Sequence, residues 1–178
     1  VDEAYNELTD DPENNTMVDL IREGHNVAVA RTFSKIYGLA GLRVGYMIGS
    51  ESTIAMVNQF GLGDYALNQA GVAAALASYN DATFMSHSKA QIVEARGMIE
   101  NALKTNGLSS LPSQTNFLFV NLGNLDAEKF RQEMESRGVL IRGIYRDYTH
   151  WSRVSMGAAK DVKRYIDNLP RVLEALHA

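Results

Sequence analysis

The sequence contains no cysteine, only three prolines, and no apolar run that approaches the roughly 20 residues of a membrane-spanning helix. Without cysteine there is no disulfide, thiol nucleophile or thiolate metal site, which favours a reducing compartment, and we expect the cytoplasm. The four histidines are scattered without metal-ligand spacing, so we expect no metal site. A net charge of -4 provides no basic surface for nucleic acid or anionic lipid. The sequence therefore predicts small molecules or other proteins as partners, and neither nucleic acid nor a membrane.

The 178 residues are 46% apolar and 21% charged, which is typical of a soluble globular chain with one domain or two small ones. Apolar runs alternate with helical patterns in the first part, and a compact pattern of strands and helices follows. The predicted fold class is α/β. We expect three parts: residues 1–80, a connecting helix over residues 81–106, and a small α+β domain over residues 107–178.

Hydrophobic periodicity predicts the individual elements. Apolar runs predict strands at residues 27–30, 44–49, 116–121, 138–142 and 152–156. The first two runs are of the kind found in buried parallel sheets. The longest helical pattern runs from Ala82 to about Thr105. A final helical stripe reaches Leu176, and Pro170, which lacks an N–H group, predicts a kink in that helix or a restart near Asn168.

One stretch, residues 31–46, holds the residues suited to covalent chemistry. A lysine amine forms a Schiff base with an aldehyde, and an aldehyde cofactor with a phosphate tail needs hydroxyls and an arginine nearby. Thr32, Ser34, Lys35 and Arg43 supply that set. Taken alone, the same pattern is also typical of an exposed lysine and arginine on a glycine-rich loop.

Two glycines, Gly38 and Gly41, lie between the lysine and the arginine. Both permit a tight turn and a close backbone approach. We therefore expect the chain to double back here and to bring Arg43 beside the neighbours of Lys35.

The stretch Ser34-Lys35-x-x-Gly38-Leu39-Ala40-Gly41-x-Arg43-x-Gly45 resembles the cofactor-lysine motif of fold-type I pyridoxal-phosphate aminotransferases, in particular the histidinol-phosphate aminotransferase group. Further motifs of that family occur in its order: Asp-x-x-Tyr at Asp2 and Tyr5, Asn-Phe at Asn116 and Phe117, Gly-Val-x-x-Arg at residues 138–142, and Arg-(Val/Ile)-(Ser/Thr)-x-Gly at residues 153–157. The resemblance implies the C-terminal part of a large cofactor domain, with a mainly parallel sheet and helices, followed by a small α+β domain.

The resemblance also implies the cofactor, pyridoxal 5'-phosphate, and the residues that hold it. Lys35 would bind the cofactor covalently and then act as the general base. Asp2 would face the pyridine nitrogen and keep it protonated, and Tyr5 would donate to the phenolate oxygen of the ring. The residues that would bind the phosphate are Thr32, Ser34 and Arg43. Taken alone, Asp2 is equally typical of a turn cap, and Tyr5 of a half-buried core aromatic.

For the substrate, Arg153 resembles the family arginine that grips an acidic group, carboxylate or phosphate. Arg142 resembles the second arginine of enzymes that take phosphorylated substrates, although it is equally compatible with a surface charge on a strand. Tyr65 and Asn68 occupy positions that often line the substrate cavity in the family. The implied partners are a small-molecule amino donor and an oxo acceptor.

The family members are about twice as long as this chain, and the missing part is N-terminal. We therefore interpret the sequence as the C-terminal portion of an aminotransferase that is a homodimer at full length. The glycine-rich turn that cradles the phosphate and the aromatic that stacks on the pyridine ring have no counterpart here. We expect the 178 residues alone to be inactive.

Three functions remain open at this point. The first is transamination between glutamate and a 2-oxo acid or a phosphorylated oxo compound, carried out by the complete protein. The second is decarboxylation of a phosphorylated amino acid with the same cofactor. The third is a non-catalytic, cofactor-free module with exposed apolar surface.

Overall fold

The computed structural model describes residues 1–61 and 63–177. The chain forms two compact units, Val1–Lys89 and Ala90–Ala178, and each contains one small antiparallel sheet. None of the described helices is long and apolar enough to cross a membrane. The expected division into a cofactor domain, a connecting helix and a small domain stays a prediction.

In the first unit, β1 (Val29–Thr32) and β2 (Gly45–Ile48) pair in antiparallel orientation. A short 3-10 helix at Ala40–Leu42 and a left-handed residue, Arg43, reverse the chain between the two strands. The expectation that residues 44–49 form a buried parallel strand is therefore wrong for this pair. Alternate residues of β2 are exposed, because only one of its faces packs against the unit.

The N-terminal residues add a second, parallel contact to β1. Asp2 forms an isolated parallel bridge with Ala30. The Glu3 N–H group donates to the Ala30 oxygen at 2.9 Å, and the Ala30 N–H group donates to the Val1 oxygen, also at 2.9 Å. Two widely separated pieces of sequence thus meet at one point on β1.

Two of the α-helices of the first unit begin at a side-chain cap. The α-helices of this unit are α1 (Val18–Arg22), α2 (Glu51–Asn58), α3 (Gln69–Tyr79) and the start of α4 (Ala82–Thr105). The Ser50 hydroxyl accepts from the Thr53 N–H group and caps α2, and the Asn68 side chain accepts from N–H groups in the first turn of α3. The sequence also predicts that Gly61-Leu62-Gly63 ends α2, whose last residue is Asn58; Leu62 lies outside the described residues.

The second unit has a sheet of three antiparallel strands covered on one face by helices. The strands, in spatial order, are β3 (Ser109–Ser110), β4 (Phe117–Asn121) and β5 (Trp151–Ser155). The helices are the rest of α4, α5 (Ala127–Ser136) and α6 (Ala159–His177). The strands predicted at residues 116–121 and 152–156 are confirmed to within one residue.

The core of the second unit follows the two periodicities of its elements. Leu118 and Val120 of β4 are fully buried, as are Phe130 and Met134 of α5, one helical turn apart. Leu169 of α6 packs in the same cluster. Residues on the other face of β4 are only partly buried, so this face of the sheet is available for contacts outside the core.

The strand predicted at residues 138–142 is not formed. Gly138 has a positive φ of 73° and ends α5, and the Val139 N–H group donates back to the Met134 oxygen at 3.0 Å. The segment keeps a strand-like alternation, with Val139 buried and Leu140 80% exposed. Its backbone joins no strand within residues 1–61 and 63–177, because the helix-ending turn uses the first N–H groups.

The restart expected near Asn168 is wrong, because α6 is one helix across Pro170, whereas the alternative of a kink stays a prediction. Pro170 is exposed, whereas Leu169 and Val172 beside it are fully buried. Apolar packing on both sides of the proline holds the helix together although one backbone hydrogen bond is missing.

Gly45 is required where β1 and β2 approach each other. A Cβ atom at Gly45 would lie 2.8 Å from the Arg31 carbonyl oxygen, which is backbone and cannot move aside alone. We expect Gly45→Ala to lower the free energy of unfolding by about 1–3 kcal/mol, since the strands must separate. Urea denaturation of the purified protein measures this change.

Gly41→Ala is the matched control for this prediction. Gly41 lies in the same turn, and a Cβ atom there would meet nothing within 4 Å. We expect a change of less than about 0.5 kcal/mol. Equal losses for the two variants would contradict the close approach at Gly45.

Candidate functional site

A cleft of about 600 Å³ in the first unit gathers most of the predicted cofactor residues. The residues that line it and that the sequence singles out are Asp2, Thr32, Ser34, Lys35 and Arg43. They come from the N-terminal segment, from β1, and from the turn between β1 and β2. The antiparallel reversal brings these three pieces of chain to one place.

Lys35 is held in a fixed loop by its neighbours. The Gly38 N–H group donates to the Lys35 oxygen at 2.9 Å, and the Ser88 hydroxyl donates to the Ile36 oxygen at 2.8 Å. Gly38 has a φ of 71°, so the turn after the lysine needs the conformation that glycine allows. The Lys35 Nζ atom lies 5.0 Å from the centre of the Tyr5 ring, within the range of a cation–π contact.

An aromatic cluster supports the same loop from behind. The Phe33 ring lies 4.8 Å from the Tyr37 ring and 5.8 Å from the Tyr46 ring, measured between centroids. Phe33 and Tyr37 are buried, and burial raises the pKa of Tyr37 to about 12. Both buried rings are close neighbours of Lys35 in sequence, so they anchor the loop while leaving the lysine partly exposed.

Two hydroxyls and one guanidinium form the candidate phosphate side of the cleft. The Thr32 hydroxyl donates to the Ser34 Oγ at 2.8 Å and accepts from the Ser34 N–H group at 3.0 Å. Arg43 has a left-handed backbone, φ 56° and ψ 48°, and its Nη1 donates to the Ala40 oxygen at 2.7 Å. Further guanidinium N–H groups of Arg43 stay available to an anion, because the side chain carries five such donors.

Asp2 supplies a carboxylate to the cleft. Its Oδ1 atom accepts from the Ala4 N–H group at 3.0 Å, which holds the side chain in a local turn. The turn-cap alternative for Asp2 and its place in the cleft are thus both present in the structure.

Next to Asp2, a buried ion pair links the N-terminal segment to β1. The Glu3 side chain is 5% exposed and that of Arg31 20%, and Arg31 Nη2 lies 2.8 Å from Glu3 Oε2. Burial alone would raise the pKa of Glu3, but bonds from the Met17 N–H group, Arg31 and Thr16 outweigh it and hold the pKa below its usual value. Sequence reasoning missed this pair, although opposite charges stand beside both recognised motifs.

In the second unit, guanidinium groups lie on aromatic rings along the open face of the sheet. The Arg153 guanidinium lies 4.0 Å from the centre of the Phe117 ring. Arg142 and Arg146 both lie over the Tyr145 ring, at 5.0 and 5.4 Å. Phe119, which faces Arg153 across the two strands, contacts the rings of Tyr145, Tyr148 and Trp151.

This aromatic face presents three cations without a carboxylate partner among the described residues, namely Arg142, Arg146 and Arg153. Stacking fixes the plane of a guanidinium but leaves its N–H edges free to bind an anion in bidentate fashion. Arg146 was not singled out from the sequence. Its signal is the density of aromatic and basic residues between Arg142 and Arg153.

The other two predicted substrate residues, Tyr65 and Asn68, do not join the residues described above. Tyr65 is fully exposed, and the Asn68 side chain is engaged as the cap of α3. Neither lines the cleft that holds Lys35. Their assignment to a substrate cavity stays a prediction.

The lowered pKa of Glu3 makes a prediction about stability. The folded protein holds the ionised carboxylate, so the stabilisation is present above the ordinary pKa of about 4.5 and is lost as the pH falls through the folded-state pKa. We expect Glu3→Gln to lower the free energy of unfolding by about 3 kcal/mol at pH 7, with a smaller difference below pH about 4.5. Urea denaturation across pH measures it.

The other titratable groups that interact with the pair include Glu7, Tyr37 and Tyr46, whose pKa values burial raises. They titrate in both proteins and so largely cancel in the difference. Asp19→Asn is the control, because its ion pair with Arg22 is mostly exposed, and we expect a change of less than about 0.5 kcal/mol. A pH-independent loss in Glu3→Gln would contradict the prediction.

Comparisons with known proteins agree with the resemblance seen in the sequence. The family model described as aminotransferase class I and II matches residues 1–169. The histidinol-phosphate aminotransferase of Akkermansia muciniphila is 37% identical over 177 residues, which cover 97% of this chain and 46% of that protein. The chain thus spans about half the length of the relatives it matches.

Solved structures show the same relationship. The histidinol-phosphate aminotransferase from Sinorhizobium meliloti in complex with pyridoxal-5'-phosphate is 30% identical, with a TM-score of 0.87 over 98% of this chain and 48% of that one. The L-threonine-O-3-phosphate decarboxylase from Porphyromonas gingivalis, 24% identical, shares the fold, with a TM-score of 0.80 over 97% of this chain and 54% of that one. The fold is that of the C-terminal portion of fold-type I aminotransferases. The chain belongs to the class I and II aminotransferase family.

Proposed function

We propose that the protein, at its native length, is a pyridoxal-phosphate-dependent aminotransferase. It moves an amino group between glutamate and a 2-oxo acid or a phosphorylated oxo compound. The observation that carries this proposal is the single cleft lined by Lys35, two hydroxyls, Arg43 and Asp2. A cytoplasmic homodimer is part of the proposal, and exposed apolar side chains of the first unit such as Phe60 and Leu76 offer surface for such contacts.

The donor set of the cleft fits pyridoxal phosphate. An aldehyde needs an amine, a phosphate needs cations and hydroxyls, and a pyridine nitrogen that must stay protonated needs a carboxylate. Lys35, the group of Thr32, Ser34 and Arg43, and Asp2 meet these needs in turn. When bound, the cofactor supplies an electron sink for the bonds at the substrate α-carbon.

Lys35 has two tasks in this proposal. Its amine would hold the cofactor, and the same amine would move a proton to or from the substrate α-carbon. The loop bonds at Gly38 and Ile36 keep the backbone of the lysine in place while its side chain changes partner. The contact with the Tyr5 ring gives the cation a resting position beside the cleft.

The remaining cleft residues hold and orient the ligand. Thr32 and Ser34 already share a hydrogen bond, so their hydroxyls are preorganised for a phosphate oxygen. Arg43 adds a charge-assisted contact from a left-handed backbone position, a conformation that costs on the order of 1 kcal/mol and is typical of functional turns.

The aromatic face of the second unit favours a substrate that carries an acidic group. Three guanidiniums without carboxylate partners among the described residues favour an anion with several oxygens, such as a phosphate. Arg153 is proposed to bind the acidic group common to both substrates. Arg142, with Arg146 beside it, is proposed to bind the group that a phosphorylated substrate adds.

Decarboxylation of a phosphorylated amino acid is the second candidate, because the same three guanidinium groups would also suit the phosphate of that substrate. The likeness to the Porphyromonas gingivalis enzyme is one of fold alone and does not separate the two reactions. Product analysis separates them, since transamination of glutamate gives 2-oxoglutarate and decarboxylation gives carbon dioxide.

Replacement of the lysine tests the proposed function. With the native-length protein and pyridoxal phosphate, we expect 2-oxoglutarate to form from glutamate and an oxo acceptor. Lys35→Ala should lower kcat at least about 100-fold, because the proton-transfer group is lost. Lys160→Ala, an exposed lysine at the start of α6, is the control and should keep full activity. Carbon dioxide release without 2-oxoglutarate would refute transamination.

Arg142 tests the substrate class. We expect Arg142→Met to raise KM for a phosphorylated oxo compound roughly 10-fold, since a charge-assisted hydrogen bond contributes about 1.5–3 kcal/mol. KM for glutamate should stay within about twofold. Arg171→Met, on the exposed side of α6, is the matched control. Equal changes in both KM values would show that Arg142 does not discriminate.

A further inference from the structure

The two segments that carry the predicted cofactor residues are joined by few backbone contacts. At Asp2 and Ala30 there is one isolated bridge with a hydrogen bond on each side. The Val1 nitrogen adds a third bond, to the Ala28 oxygen at 2.6 Å, so the backbone contact is a short ladder between residues 1–3 and 28–30. Side-chain contacts beyond this ladder strengthen the hold of the Asp2 segment on β1.

The Glu3–Arg31 pair is such a side-chain contact. Glu3 follows Asp2 directly, and Arg31, which itself lines the cleft, directly precedes Thr32. Arg31 donates twice to the Glu3 Oε2 atom, from Nε at 3.0 Å and from Nη2 at 2.8 Å. Both donors reach the same oxygen, and these charge-assisted bonds tie the guanidinium of β1 to the residue after Asp2.

Further hydrogen bonds lock the carboxylate itself. The Met17 N–H group donates to Glu3 Oε1 at 2.6 Å, and the Thr16 hydroxyl lies within 3.1 Å of both carboxylate oxygens. Arg31 Nη2 also donates to the Thr16 Oγ1 at 2.9 Å. A buried carboxylate with this many donors has one stable position. The segments that supply the donors are therefore held in place relative to the Glu3 side chain.

We propose that Glu3 and Arg31 are positioning residues that hold the Asp2 segment and the Lys35 segment in the mutual orientation required for cofactor binding. Their proposed role is carried by the hydrogen bonds that join the two segments, from Arg31 and Met17 to the Glu3 carboxylate. The inference rests on the proposed function, because it concerns the same cleft and the same cofactor.

Pyridoxal phosphate binding to the native-length protein tests the pair. We expect Glu3→Gln and Arg31→Met each to raise the Kd for pyridoxal phosphate roughly tenfold at a temperature where the variants remain folded. The double variant should be no weaker than either single one, since the two residues act as one unit. Arg31→Lys, which keeps the charge but not the planar fork, should recover only part of the affinity.

A spectroscopic measurement distinguishes a positioning role of Glu3 and Arg31 from a contribution to the stability of the fold alone. The pH midpoint of the visible absorption of the bound cofactor reports the surroundings of Lys35, and we expect it to shift in Glu3→Gln. Arg22→Met, which removes the exposed pair with Asp19, is the matched control and should change neither Kd nor midpoint.

The outcomes are distinct. If the unaltered protein binds no pyridoxal phosphate, the proposed function fails and this inference with it. If it binds, and the variants lose stability but keep both Kd and midpoint, only the positioning role is overturned. Should Glu3→Gln and Arg31→Met fail to fold, Thr16→Val removes the shared hydroxyl without a charge. It should then raise the Kd roughly threefold, and an unchanged Kd would overturn the proposal.

Discussion

Burying a carboxylate costs much free energy unless hydrogen bonds and an opposite charge compensate it. In the first unit, three segments of chain meet at one such carboxylate, that of Glu3. Glu3 is almost completely buried beside a cleft that must stay open. Its donors come from β1, from the loop before α1, and from the backbone where that loop ends. The cost of leaving this charge unpaired is large, so the segments that meet it are held together more firmly than their few backbone contacts indicate.

The elements that could be predicted from the sequence are those in which local chemistry and packing agree. The Ser50 cap, the strand at residues 116–121 and the inward Phe130 of α5 all follow from rules that span a few residues. The restart that Pro170 suggested does not occur, because apolar packing on both sides of the proline outweighs its local effect. The segment 138–142 has the alternation of a strand, but no rule within the segment says whether a neighbouring edge will pair with it.

The candidate site also has features that could be predicted from the sequence and features that could not. Lys35, Thr32, Ser34 and Arg43 are recognisable because close spacing along the chain keeps them together in space, and the structure does place them on one cleft. The buried pair was not predictable, because Glu3 and Arg31 are 28 positions apart in sequence. The direction of the strands was predicted wrongly because an apolar run alone does not distinguish a parallel from an antiparallel partner. Neither the left-handed Arg43 nor the stacking of Arg146 on Tyr145 leaves a signal in periodicity.

The alternation along β4 and β5 has a consequence for how the second unit can change. Phe119 and Arg153 face each other on the open side, while Leu118 and Val154 face each other in the core. Inserting one residue into either strand would exchange the two faces, placing a guanidinium in the apolar interior and aliphatic side chains on the anion-binding side. Loss of the fold and loss of recognition would then arise from the same event. The unit is therefore expected to tolerate a change of length in its loops and not within β4 or β5.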